Sequence, residues 1–295
     1  MTQFIPAGVK RWWKLVLLMV IAAVLVDSAL SLVGSRGVFA AHRPVSEAGG
    51  SAVMAGASGH RVAGRVYLTG TPAQAAPMVI VLHGDAPSAN PRYQYAFASD
   101  VADAVPGTRV VAFLRPGYAD PYGAKSDGDR GFALGENYTS PVVNDIAAAI
   151  QALKSRWGAS AVILAGHSGG AAIAANVAAL HAGLVRHVFL IGCPCDVPTF
   201  RRHMARLQWN PLWLMPVHSL SPVQTLDQMG DGTKVTAISG AQDPVTLPQY
   251  ARSYIAKASA RGISASMITI PGQGHEILND SAVIQEVAKA VHSGL

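Results

Sequence analysis

The chain contains a series of short apolar runs, most of them closed by a glycine, and longer segments of helical character separate them. The runs lie at 78–84, 109–115, 161–166, 187–192, 234–240 and 265–272, after an alternating strand at 61–68. The helix candidates lie near 93–104, 142–157, 169–182, 248–261 and 281–292. Strands that are apolar along their whole length are covered on both faces, and parallel neighbours need crossover connections. The pattern therefore predicts an α/β fold in which helices flank a mostly parallel central sheet.

The domain organisation follows from the length of 295 residues, of which half are hydrophobic and 14% are charged. These values favour a compact globular protein over a disordered one. The stretch 41–59, rich in Gly, Ala and Ser, is predicted to be a flexible linker. Residues 60–295 are then predicted to form one domain, with a short cap at about 193–233 between two of the strands.

The first 40 residues have the layout of an export signal. Lys10, Arg11 and Lys14 precede an apolar run, Leu15 to Val26, and small residues follow in "VFAA". Two interpretations stay open: a cleaved signal peptide, or a retained N-terminal membrane anchor. Both predict an exported protein that is periplasmic, extracellular or anchored to the membrane.

Charge and cysteine content exclude some classes of function. Of the formal net charge of +6, residues 1–40 carry +3, from four Lys and Arg less one Asp. No basic run with interleaved aromatic residues remains, so nucleic-acid binding is not expected. The two cysteines, Cys193 and Cys195, are too few for a metal site. They can oxidise as a pair, or remain free or paired differently, and we interpret them as structural.

A candidate nucleophile lies in the sequence "GHSGG". Ser168 stands between a predicted strand and an alanine-rich helix, which is the context that a G-x-S-x-G elbow requires. Gly166 and Gly170 leave room for strand and helix to pass closely. A serine before a helix is also an ordinary N-cap, but the flanking elements favour the elbow.

A nucleophilic serine needs a base, and the base needs an acid that orients it. Asp243 follows the run at 234–240 and His275 follows the next run, so both are expected at the same sheet edge as Ser168. The order Ser, Asp, His is the one that this architecture uses. Asp196, after the run at 187–192, is an alternative acid.

An oxyanion would need backbone donors close to Ser168. The N–H of Gly169 is one candidate, and the N–H of Asp85 or Ala86 in the loop after the run at 78–84 is the other. A carboxylate beside an oxyanion would oppose its charge. We therefore expect the Asp85 side chain to turn outward or to bind a basic group of the substrate.

These motifs resemble those of the α/β-hydrolase superfamily, and the likeness covers about residues 60–295. "HGDAP", "RPGY", "GHSGG", "GAQDPVT" and "PGQGHEIL" follow one another in the superfamily's order. The resemblance implies a serine hydrolase without metal or organic cofactor that cleaves an ester, thioester or amide bond of a small-molecule or short peptide acyl substrate. It departs from the lipases, whose "HGGG" is absent, and from prolyl-oligopeptidase relatives, whose N-terminal propeller has no room here.

The cap supplies the candidate substrate contacts. Trp209 and Trp213 are predicted to line an apolar acyl or aromatic pocket, and Arg201, Arg202 and Arg206 to meet a carboxylate. The alternative is that the aromatic side chains only attach the cap to the body.

The sequence thus predicts a carboxylesterase-like or lipase-like serine hydrolase. The alternatives are a prolyl-oligopeptidase-like peptidase, haloperoxidase-like side chemistry on the same three residues, and a binding protein that has kept the fold without the activity.

Overall fold

A computed structural model of the protein describes residues 49–86, 89–131 and 135–293. The predicted signal or anchor at 1–40 and the first part of the predicted linker lie outside these ranges. Within them, no helix has both the length and the apolar character that crossing a bilayer requires.

The centre of the fold is one eight-stranded sheet with the order β1-β2-β4-β3-β5-β6-β7-β8. The strands are β1 Ser51–Ala55, β2 Val62–Tyr67, β3 Met78–Leu82, β4 Arg109–Phe113, β5 Val162–His167, β6 His187–Ile191, β7 Lys234–Gly240 and β8 Ala265–Ile270. β1 and β2 pair antiparallel, as do β2 and β4, whereas the pairs from β4 to β8 are parallel. The predicted fold class is confirmed.

The prediction that the folded body begins at residue 60 is wrong. Ser51–Ala55 forms strand β1 and pairs in register with β2, from Ser51 opposite Val66 to Ala55 opposite Val62. Most of its side chains face solvent, with only Ala55 buried. Val53 and Ala55 pack against the core, and backbone pairing with β2 holds the rest of the strand at the sheet edge.

Helices cover both faces of the sheet. They are α1 Tyr93–Ala104, α2 Ser140–Trp157, α3 Gly169–Leu180, α4 Val197–Leu207, the short α5 Pro222–Thr225, α6 Pro248–Ala260 and α7 Ser281–His292. Alternate residues of β3 enter two separate cores: Ile80 lies in the cluster with α2 and α3, and Val79 in the cluster with α1 and α7. All of β3 is buried, which explains why its sequence is continuously apolar.

The segment between β6 and β7 carries the cap. It begins with a disulfide between Cys193 and Cys195 and continues through α4, α5 and 3₁₀ turns at Pro211–Leu214 and Leu226–Gln228. The cap is thus helical, and its longest helix, α4, was not predicted.

The parallel register brings the carboxyl ends of four strands to one edge. His167 of β5 lies opposite Ile191 of β6, and Gly240 of β7 lies opposite Ile270 of β8. In open α/β sheets ligands bind at this edge. The segments that begin with Ser168, Gly192, Ala241 and Pro271 all leave the sheet there.

Candidate active site

Ser168 occupies the sharp turn between β5 and α3. Its backbone φ is +53°, in the left-handed region that non-glycine residues rarely adopt. The Ser168 N–H donates to the Ile191 carbonyl at 2.8 Å, which fixes the turn to β6. A Cβ on Gly166 would overlap the backbone of Gly170, and a Cβ on Gly170 would overlap the carbonyls of Leu82 and His83. Helix α3 therefore packs closely against β5 and the end of β3 only because both residues are glycines. The predicted elbow is therefore present, with its strain at the serine.

The structure brings Ser168, His275 and Asp243 into one hydrogen-bonded chain. His275 Nε2 lies 2.9 Å from Ser168 Oγ, and His275 Nδ1 lies 2.9 Å from Asp243 Oδ2. The Asp243 carboxylate also accepts from the Thr246 hydroxyl at 2.6 Å and from the N–H groups of Val245 and Thr246. Thr246 thus holds the acid, a contact that the sequence analysis missed.

Burial and neighbouring charges shift the pKa values of His275 and Asp243 in opposite directions. Burial disfavours the imidazolium, but the hydrogen bond to Asp243 and its negative charge outweigh burial and leave the pKa of His275 above its ordinary value. Burial likewise raises the pKa of Asp243, yet its contacts with His275 and Thr246 bring the net pKa below its ordinary value. The arrangement favours a charged Asp243 and a basic His275.

The loop after β3 lies against the serine. Gly84 is so close that a Cβ there would stand 2.9 Å from Ser168 Cβ. The Ala86 N–H donates to the Tyr118 hydroxyl at 3.3 Å, and the Gly84 N–H donates to the Tyr93 hydroxyl at 2.5 Å. Among the described residues, no hydrogen bond uses the N–H of Asp85 or of Gly169. Of the two predicted alternatives in this loop, Asp85 thus keeps its backbone donor.

The expectation that the Asp85 carboxylate turns outward or awaits a basic substrate group is wrong. It turns inward beside Gly169 and forms an ion pair with Arg115, at 2.7 Å from Asp85 Oδ1 to Arg115 Nη1. Its other oxygen accepts from the Tyr138 hydroxyl at 2.6 Å and from the Gly135 N–H at 2.8 Å. The positive charge of Arg115, which is fully buried, therefore compensates a negative charge next to the serine.

The pKa values of the groups around Asp85 agree with this assignment of charges. Burial disfavours the charge on Arg115, but Tyr118 and Asp85 raise its pKa above the ordinary value. Burial and the Asp85 charge raise the pKa of Tyr138 well above its ordinary value, so it stays a hydroxyl donor.

Two further histidines join the loops of the site. His83 Nδ1 lies 2.7 Å from the Gly84 carbonyl, and His83 Nε2 accepts from the Arg115 N–H at 3.0 Å. His167 Nε2 lies 3.0 Å from the His275 carbonyl, and its Nδ1 lies 2.9 Å from the Tyr93 hydroxyl. Burial, first of all, lowers the pKa of both histidines, so both are neutral.

A second series of hydrogen bonds runs through His167, and its acceptors determine which atom carries each proton. The His275 carbonyl can only accept, so His167 donates from Nε2 and accepts at Nδ1 from the Tyr93 hydroxyl. Tyr93 in turn accepts from the Gly84 N–H. One chain therefore connects the loop of Asp85, the residue before Ser168 and the backbone of His275.

The structure does not bring the predicted cap contacts to the serine. Trp209 is 92% exposed, while Trp213 is buried in a cluster with Phe200, Met204 and Tyr250. The alternative interpretation, that the aromatic side chains attach the cap, describes Trp213. Arg201 is buried and donates to the Met215 carbonyl at 3.2 Å.

Asp196, the alternative acid, instead caps helix α4. Its carboxylate accepts from the Thr199 N–H at 3.0 Å.

Ranges 49–86, 89–131 and 135–293 contain no cluster of three His, Cys, Asp or Glu side chains arranged to hold a metal ion.

Sequence signals existed for some of the missed residues. His167 is the variable residue of the elbow motif, and Thr246 follows Asp-Pro in a turn. Arg115 opens the "RPGY" motif but gives no local sign of its partner, because Asp85 lies 30 residues earlier.

Comparison with known proteins identifies the family of this chain and the solved structures that share its fold. The sequence model of the family described as "Serine aminopeptidase, S33" matches residues 73–238, more than half of the chain. No curated protein sequence matches the chain.

Among solved structures, the esterase Pf2001 of Pyrococcus furiosus has a TM-score of 0.62 at 14% identity, with 83% of this chain and 92% of that chain covered. The esterase Est1E of Butyrivibrio proteoclasticus has a TM-score of 0.55 at 14% identity, with coverages of 82% and 96%. A puromycin-hydrolyzing peptidase of Mycobacterium tuberculosis has a TM-score of 0.62 at 17% identity, over 82% of this chain and 38% of its own. Identities this low show a shared α/β-hydrolase fold.

Proposed function

The chain belongs to the serine aminopeptidase S33 family of α/β-fold serine hydrolases, and from that premise we propose that it is a carboxylesterase that uses Ser168, His275 and Asp243. The observation that carries the proposal is the unbroken hydrogen-bonded chain from the Asp243 carboxylate through His275 to the Ser168 hydroxyl.

In the first half of the reaction, Ser168 Oγ attacks the ester carbonyl carbon while His275 Nε2 takes the hydroxyl proton. Asp243 keeps the Nδ1 proton in place and stabilises the imidazolium. The tetrahedral intermediate then expels the alcohol, which receives the proton from His275. An acyl group remains on Ser168.

In the second half, water attacks the acyl carbon and His275 takes one of its protons. The intermediate collapses to the carboxylic acid, and the proton returns to Ser168 Oγ. Both intermediates carry a negative oxygen, and each good backbone donor to such an oxygen contributes about 3–4 kcal/mol.

We assign the oxyanion donors to the N–H groups of Gly169 and Asp85. The support for Asp85 is that residues 84–86 are held by hydrogen bonds to the His83 ring, Tyr93, Tyr118 and Arg115. A donor in a loop held this way needs no reorganisation when the charge forms. Gly169 is the first residue of α3, where the helix dipole adds a partial positive charge.

The distribution of acidic residues favours an ester over a substrate with a free amino terminus. A peptide ammonium needs a carboxylate near the serine. Asp85 already binds Arg115, Tyr138 and Gly135, which leaves the exposed Glu276, next to His275 in the sequence, as the carboxylate without these contacts. In the cap, Asp196 caps α4, Asp227 pairs with Arg261, and no Asp or Glu occurs between these two residues.

A peptidase is the second candidate, since the family description and the mycobacterial structure both name peptide or amide hydrolysis. Export of the protein remains our proposal from the N-terminal sequence. The disulfide between Cys193 and Cys195 supports it, because such bonds persist in oxidising compartments.

A panel of p-nitrophenyl esters and aminoacyl anilides tests the proposal. We expect ester turnover that falls by a factor on the order of 10⁴ or more in Ser168→Ala and in His275→Ala. Ser155→Ala, at an exposed serine of α2, is the matched control and should keep parental activity. Anilide turnover exceeding ester turnover would favour the peptidase, and full ester activity in Ser168→Ala would refute the assignment.

A further inference from the structure

The cap exposes a cluster of large apolar side chains. Of the seven exposed large hydrophobic residues within the described ranges, five lie in one stretch of nine residues: Leu207, Trp209, Leu212, Leu214 and Met215. Single exposed apolar residues are normal on a protein surface, but a concentration of them marks an interaction site. We call the stretch 207–215 the cap surface.

The exposure of the cap surface follows from how the cap is built. The cap core is already filled by Phe200, Met204 and Trp213 with Tyr250 of α6. Trp213 is the buried residue of the 3₁₀ turn, so its neighbours Leu212 and Leu214 remain outside, 51% and 61% exposed.

Hydrogen bonds fix this arrangement in the isolated protein. Trp213 Nε1 donates to Gln208 Oε1 at 2.6 Å, and the Arg201 guanidinium donates to the Met215 carbonyl at 3.2 Å. The Asn210 side chain accepts from the Leu212 N–H at 3.0 Å and so caps the turn. The cap surface is therefore formed before any partner arrives.

The charged residues that the cap carries between Asp196 and Asp227 have one sign. Between Asp196 and Asp227 the chain carries three arginines and no acidic residue. Arg202 and Arg206 are exposed on α4, and Arg202 donates to the hydroxyl of Thr199 at 2.8 Å. A binding partner has to accept apolar side chains and a Trp, and also compensate positive charge.

We propose that the cap surface docks on a lipid bilayer that contains anionic headgroups. Leu and Met side chains insert into the acyl region of such a bilayer, and Trp side chains favour its headgroup interface. The anionic headgroups attract Arg202 and Arg206. A second copy of the chain fits less well, because the same surface on the partner would add its own arginines and no acidic residue from between Asp196 and Asp227 to compensate them. The proposal is independent of the hydrolytic function.

The cap core connects the cap to the candidate active site through buried contacts. Phe200 of the cap core lies against Gly135, where a Cβ would stand 3.2 Å from its ring. The Gly135 N–H in turn holds the Asp85 carboxylate beside the serine.

The test needs a signal from the cap itself, because the apolar run near the N-terminus can bind membranes on its own. In the full chain, Leu214→Cys is labelled with an environment-sensitive fluorophore, and Leu68→Cys, another exposed leucine, is the matched control. Cys193 and Cys195 are joined to each other and do not react. Met215→Cys serves as a second labelling position.

Vesicles of phosphatidylcholine with and without phosphatidylglycerol are then compared. We expect a blue shift and quenching by lipid-borne nitroxide at position 214 with phosphatidylglycerol, and no change at position 68. Replacing both arginines, Arg202→Glu with Arg206→Glu, should weaken this response about tenfold or more.

Three results would overturn the proposal. The labels at 214 and 215 could respond no more than the label at 68, or respond equally to vesicles without phosphatidylglycerol. The response could also arise without vesicles as protein concentration increases, which would identify a second copy as the partner.

Discussion

The buried ion pair of Asp85 and Arg115 makes a quantitative prediction about stability. The two side chains are 8% and 1% exposed, and 2.7 Å separates Oδ1 from Nη1. Removing one partner of such a pair leaves an uncompensated buried charge, which costs about 3–5 kcal/mol. We therefore expect Arg115→Met to lower the free energy of unfolding by about 3–5 kcal/mol.

The chain contains a matched control for burial. Arg261 and Asp227 are also 2.7 Å apart, but their side chains are 41% and 80% exposed. Arg261→Met should cost less than about 1 kcal/mol, because water screens exposed pairs. Urea denaturation measures both values. A loss in Arg115→Met no larger than that in Arg261→Met would refute the argument from burial.

The double variant separates charge from packing. In Asp85→Asn with Arg115→Met neither charge remains, so the combined loss should be smaller than the sum of the single losses. The kinetics give a second readout. Arg115→Met alone leaves the Asp85 charge beside the oxyanion position, and we expect kcat to fall by about tenfold or more, the equivalent of ~1.4 kcal/mol.

Further predictions concern the acid limb of the plot of kcat/KM against pH, and the residues Tyr93, Gly166 and His187. His275 is active when neutral and its pKa is raised above 6.5, so kcat/KM should fall as pH decreases through a value above 6.5. Asp243→Asn should move this limb to lower pH and lower kcat by a factor on the order of 10⁴, and an unmoved limb would contradict the assignment. Tyr93→Phe should lower kcat about tenfold with little change in KM, since it removes the hydroxyl that accepts from the Gly84 N–H and donates to His167 Nδ1 behind the site; an unchanged kcat would exclude a positioning role. Gly166→Ala should abolish activity and lower the Tm, because its Cβ overlaps backbone; parental melting would contradict the packing. Burial lowers the pKa of His187 to about 4, so between pH 6.5 and 4 this histidine binds a proton in the unfolded chain but not in the folded one. The free energy of unfolding should therefore decrease by about 3 kcal/mol from pH 6.5 to 4, and His187→Gln should remove this dependence.

The sequence predicts the elements whose own residues determine them. β3 enters two cores and is apolar at every position, and the helix predicted at 93–104 coincides with α1. The positions of Ser168, Asp243 and His275 at one edge follow from the parallel order of the strands. Each of these predictions depends on local pattern and on the general geometry of parallel sheets.

Features that depend on distant partners could not be predicted in this way. β1 brings only Val53 and Ala55 to the core, and its other residues are held by backbone pairing with β2. The orientation of the Asp85 side chain depends on Arg115 and Tyr138, which lie 30 and 53 residues further along the chain. Neither partner carries a local sign that it approaches Asp85.

Helix α4 is different, because its pattern was present in the sequence. Val197, Phe200, Arg201 and Met204 recur at helical spacing and are the buried residues of the helix. Two consecutive arginines within this pattern obscure it, because Arg201 is buried among apolar groups through its long side chain.

The most direct test of the account is intact-mass spectrometry after reaction with a fluorophosphonate, which phosphonylates an activated serine. We predict one adduct on the parent protein, located on Ser168 by peptide mapping, and no adduct on Ser168→Ala. An unlabelled parent protein, or a Ser168→Ala variant that still gains the adduct, would contradict the central claim.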